Sequence, residues 1–197
     1  MGKIFHNHPN GGGLVADTAE VSNTAFIDEY CVVYDNAKVL DHARIVDHAR
    51  IFDSAIICGN ATVSGKAIVS GESTVSDYAS IEDQSLVTDC SVICGMAIIS
   101  GRAVITGARV SGGAIVSDSA TVDSGSHISG QAQIHGTASI TGQSNISGCT
   151  NISGTVEIRE SYLSGTSNLR ESVTGGVVTG DTSYVQISSF YFDGPYE

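Results

Sequence analysis

The chain lacks tryptophan, has two prolines, and carries only 6% aromatic residues over its 197 positions. A core built from large rings is therefore excluded, and a folded chain must stack many small aliphatic side chains instead. Charge is also scarce and one-sided. Nine Lys and Arg stand against 21 Asp and Glu, for a net charge of -12. So few cations exclude the basic stripe that nucleic acid requires and any attraction to an anionic membrane surface. No apolar run approaches the ~20 residues of a membrane span. No nucleic-acid partner and no membrane insertion are expected. The opening Met1–Asn10 is polar and holds His6 and His8, unlike a signal peptide, so synthesis is expected in the cytoplasm. Five cysteines (Cys31, Cys58, Cys90, Cys94, Cys149) form an odd set without a CxxC pair, which excludes a disulfide framework or zinc ribbon.

What the chain does have is 23 glycines and a strict internal period. From Val15 every sixth residue through Ile105 is Val or Ile; one residue drops out, and the series resumes from Val110 to Ile158, making 25 positions in all. Two residues before each stands Ala, Ser, Thr or Cys, apart from Gly13 and Val156. Two residues after each stands Gly, Asp or Asn, apart from Glu29, Ser124 and Glu160. Residues two apart on an extended segment point the same way, so the small residue and the aliphatic both face inward. Val and Ile suit a strand, and the Gly/Asp/Asn position marks a corner of positive φ. A helix would need a period of 3.6 and would not accept Gly at every sixth step, so helix is excluded.

The run Ala-x-Val-Ser-Gly-x at Ala61–Lys66 and Ala67–Glu72 resembles the hexapeptide repeat of left-handed parallel β-helix proteins. The chain is also similar to a group of uncharacterised bacterial and phage-borne hexapeptide proteins that open with a Gly-rich segment, here Pro9–Gly13. The resemblance implies three hexads per triangular coil. The expected fold is all-β, a single left-handed parallel β-helix of about eight coils. Its expected organisation is an N-terminal cap (1–12), the β-helix (13–160), and a segment of degenerate coils with an aromatic C-terminal cap or assembly element (161–197). In that last segment Leu163 arrives a residue early, Leu169 keeps step, and Tyr162, Tyr184, Phe190, Tyr191, Phe192 and Tyr196 cluster.

Residues flanking each inner aliphatic face outward. One face carries Leu14, Val32, Tyr34, Phe52, Ile68, Leu86 and Val104, interrupted by Arg50. Such an apolar strip marks an association surface, and the resemblance implies a homotrimer. Beyond Val122 the outward residues turn polar (His127, Gln133, His135, Asn145, Asn151), which suits solvent or a protein or glycan partner. The expected function is a noncatalytic structural or binding rod; the resemblance places it in a phage tail or particle, or in bacterial surface attachment. The alternative is a CoA-dependent acyltransferase, with His48 as base and Lys66 and Arg102 in the same corner column as cofactor-binding cations. Against it, no extruded loop and no helical C-terminal segment are evident. Stacked Asp17, Asp35, Asp53 and Asp89 could hold Ca²⁺, but turn formation explains them more simply. No metal and no cofactor is expected.

Overall fold

The computed structural model describes residues 4–178 except 124 and 171. Among them the regular structure is entirely β, in thirty strands of two or three residues. The strands form a first sheet of eleven members, a second of ten and a third of nine, and each parallel strand pairs with those one turn away. The molecule is thus a three-sided parallel β-solenoid of about nine turns.

The six-residue period produces this arrangement directly. Val33, Val39 and Ile45 fall on three different sheets and all are fully buried, as are the small residues Cys31, Ala37 and Ala43 before them. Register is 18 residues per turn, so that Val63 pairs with Ile45 on one side and Ile81 on the other. Like side chains therefore stack in columns, and the core is one continuous aliphatic file. Where Ser or Thr takes the small position, most hydroxyls donate within their own corner, as Ser85 Oγ does to the Glu82 carbonyl at 2.6 Å; Ser73 Oγ instead donates to the Asp89 carbonyl at 3.2 Å, and Ser126 Oγ has no partner among the described residues.

Corners follow the same logic. At Asp35 φ is 54°, and the turn closes with the Ala37 N–H donating to the Tyr34 carbonyl at 3.2 Å. Eight of the ten described non-glycine residues with positive φ are Asp. Six of these have a further task, for each carboxylate accepts the N–H of a Gly one turn on; Asp47 with Gly65 and Asp83 with Gly101 are both at 2.9 Å. Asp and Gly consequently alternate up a corner: Asp47, Gly65, Asp83, Gly101, Asp118, Gly136.

The dropped residue after Ile105 is absorbed at the corner leaving the first sheet. There Ile93 pairs with Val110 at a spacing of 17, and Gly107 has φ 59°. The same corner shortens again before Leu163, which pairs with Ile146. Turns continue past Glu160, with Val173 pairing to Ile158 and Val178 to Leu163, each 15 residues on. That continuation is why the solenoid exceeds the eight coils counted from Val and Ile alone. Of the aromatic tail, Tyr184, Phe190, Tyr191, Phe192 and Tyr196 lie outside the described residues.

At the N-terminal end, β1 (Phe5–Asn7) runs antiparallel to β2 (Leu14–Ala16) and covers the edge of the first sheet. The Gly-rich segment then crosses to the third sheet. The Ile27 N–H donates to the Asn10 carbonyl, and the Gly13 N–H to the Ile27 carbonyl, both at 3.0 Å. Gly11 is required there, because a Cβ would lie 2.2 Å from the Ile27 carbonyl oxygen and its φ is +112°. Two exposed sheet edges are thereby closed by backbone hydrogen bonds.

Candidate functional site

The register places the apolar strip on one sheet. Leu14, Val32, Arg50, Ile68, Leu86 and Val104 are successive pairing partners up the first sheet. Leu14 is 41% exposed, the other apolar members are partly exposed, and Arg50 is exposed. Tyr34 and Phe52 flank them on the same sheet, one residue beyond Val33 and Ile51. The structure adds Phe5, whose ring meets Tyr34 edge-on with centroids 5.6 Å apart. Sequence reasoning assigned Phe5 to the cap alone; its antiparallel pairing with Ala16, which carries it onto this face, has no period to announce it. Above Val104 the column turns polar, through Thr121, Ser139 and Glu157.

Both edges of this face are acidic. The corner entering the first sheet carries His48, Lys66 and Arg102 among Asp28, Glu29, Asp47, Glu82 and Asp83. The corner leaving it carries Asp17, Asp35, Asp53, Glu72 and Asp89, with His6 Nδ1 3.0 Å from Asp17 Oδ1. The second sheet is mixed, with a Lys38–Glu20 ion pair at 2.8 Å; on the third, Arg44 sits 4.9 Å from the Phe26 ring centroid.

His48, Lys66 and Arg102 do share one corner column, and all are exposed. The His48 ring leans on Tyr30, with centroids 5.3 Å apart. Hydrogen bonding to the Glu29 carboxylate raises the Tyr30 phenol above its ordinary value. Arg102 lies three turns from His48, about 14 Å at the usual strand spacing, so the two do not converge on one reacting atom. A shallow groove of about 420 Å³ beside Arg102 is lined by Asp83, Gln84, Gly101, Asp118 and Ser119. With two carboxylates to one guanidinium, it is ill suited to phosphate groups. Among the described residues, no three His, Cys, Asp or Glu side chains gather in metal-binding geometry. Of the stacked carboxylates, that of Asp53 accepts the Gly71 N–H at 3.0 Å and that of Asp17 meets His6 Nδ1 at 3.0 Å.

The cysteines are all free thiols. Cys31 takes the place of a core Ala and is fully buried, and burial pushes its thiol up from 9.0 to about 11. The neutral thiol is the form the fold favours. Its contribution to stability is complete below pH 9 and is lost as pH rises from 9 toward 11, where only the unfolded chain ionises freely. Wild type should thus lose of order 2 kcal/mol more than Cys31→Ala between pH 8 and pH 11, read from urea midpoints. Cys90 and Cys149 are exposed and should react with a thiol reagent in the native protein, whereas Cys31 should not.

These features define a β-solenoid repeat protein: one short strand and one corner per hexad, three hexads per turn, with an aliphatic file inside. The family model described as the YdcK Beta solenoid repeat matches residues 55–71, a stretch holding Ile57, Val63 and Val69 and hence one rung of each sheet. Nothing among curated proteins or solved structures matches the chain.

Proposed function

We propose that the protein is a noncatalytic structural or binding rod that assembles with copies of itself, as a trimer, through the apolar strip of the first sheet. The column of Leu14, Val32, Ile68, Leu86 and Val104 on one flat face, broken only by Arg50, carries this reading. A soluble chain gains by withdrawing such a strip from water. A stiff rod with a polar second half suits attachment, in a phage tail or at a bacterial surface.

Sedimentation equilibrium at micromolar concentration tests the assembly. A mass three times the 20.3 kDa chain is expected for the parent. Paired Ile68→Glu and Leu86→Glu substitutions, outward and away from the core, should yield monomers that melt as folded protein. A monomeric parent overturns the assembly. Binding of acetyl-CoA that disappears in His48→Ala overturns the noncatalytic reading.

A further inference from the structure

We propose that a groove in the polar half, at the corner leaving the first sheet, binds a neutral pyranoside stacked on Tyr162. The groove encloses about 340 Å³, at the low end for small-molecule sites, and is lined by Gln143, Asn145, Glu160, Ser161 and Tyr162 over glycines. It lies where Ile158 to Leu163 spans five residues rather than six, so successive corners cease to eclipse one another. The proposal deepens the binding role of the rod and rests on that role being noncatalytic.

Two independent features single this groove out. Gln143 (φ 61°) and Glu160 (φ 49°) are the only described non-glycine residues of positive φ that are not Asp, and both line it. Asp tolerates this conformation through local hydrogen bonding. Gln and Glu have no such aid, and residues held in sparsely populated backbone regions concentrate at binding sites. The second feature is the aromatic ring. Tyr162 is 46% exposed on the second sheet beside its pairing partner Asn145, after a run of outward positions that are polar from His127 to Arg159.

The chemistry selects the ligand. A pyranose presents a C–H face that a phenol ring can cover and a rim of hydroxyls that both donate and accept. The amides of Gln143 and Asn145 offer donors and acceptors together, and the Glu160 carboxylate accepts. Arg159 Nε stands 3.4 Å from Glu160 Oε1. That cation is shared with an acid on a chain of net charge -12, so an anionic ligand is disfavoured. Glu160 and Arg159 lie over Gly142, where a Cβ would come within 2.9 Å of the Glu160 Cγ, so glycine leaves room for them.

Saturation-transfer NMR on the full chain tests the site, using methyl β-D-glucopyranoside, methyl β-D-galactopyranoside and methyl α-D-mannopyranoside at millimolar concentration. At least one should show transfer, strongest at the C–H protons of one ring face. Tyr162→Ala should weaken it about fivefold to tenfold and Tyr162→Phe by less than about twofold, since stacking is the interaction removed. Gln143→Gly removes an amide while installing the residue its φ favours. It should bind more weakly yet melt no lower than the parent. No transfer from any of the three sugars overturns the site, as does equal transfer in the parent and both Tyr162→Ala and Gln143→Gly. Neither result bears on the sedimentation mass or on acetyl-CoA, so the rod reading fails or stands separately.

Discussion

Gly65→Ala is expected to destabilise the protein by about 3 kcal/mol, and Gly107→Ala by only about 1 kcal/mol. Both glycines occupy the same step of the repeat at positive φ, +68° and +59°. A methyl group at either position meets the left-handed penalty of about 1 kcal/mol or a little more. Surroundings separate them. At position 65 the new carbon would stand 2.6 Å from the Asp83 carbonyl oxygen and 2.8 Å from its nitrogen, whereas at 107 nothing lies within 4 Å. The atoms met at 65 are backbone, fixed by their own hydrogen bonds, and cannot rotate aside. Relief requires opening the corner, which would also strain the Gly65 N–H bond to the Asp47 carboxylate. Urea midpoints of the two variants measure the difference. Equal losses would mean that successive corners do not pack on one another.

That contrast shows where the sequence was transparent. The inner file was legible because burial imposes a strict choice: at Ile57, Val63 and Val69 only a branched aliphatic fits a fully buried site of a two-residue strand. Corners were legible as turns, since Asp and Gly are the residues that accept positive φ. The alternation of Asp with Gly at a distance of 18 was not, although the letters were in view. Its cause is a hydrogen bond between turns, and that bond appears only once turns are stacked. The extension beyond Glu160 was legible only as degenerate coils, for another reason. Leu169 to Val173 is a step of four, and a shortened corner removes the period by which rungs are counted.

The outward faces were read from columns 18 apart, and the strip from Leu14 to Val104 followed from register alone. Contacts that break the period were not readable. Phe5 joins Tyr34 through an antiparallel strand, and Tyr162 enters its groove through a lost residue. Both features lie where the repeat is interrupted. A perfect repeat presents the same surface at every turn, so a localised site requires a departure from it.

Ile99→Ala should be the most damaging conservative change in the core, costing about 4 kcal/mol. Ile99 is fully buried at the centre of the third sheet, between Ile81 and Val116. Its strand is tied on both sides, so the neighbours cannot close over the lost carbons and a cavity remains. Position along the rod adds a second effect. In a solenoid each turn is stabilised mainly by the turns next to it, so a central lesion weakens the link between two otherwise intact halves. Leu169 is buried as well, but its strand is the last described member of that sheet, paired only to Ile152. Leu169→Ala should therefore fray the end and leave amide protection near Ile81 and Val116 unchanged. Ile99→Ala should reduce protection there and broaden or divide the thermal transition. Hydrogen exchange on the two variants decides between these behaviours. If both lower protection equally along the whole chain, with one sharp transition each, the rod unfolds as a single unit and the nearest-neighbour account of its stability is wrong.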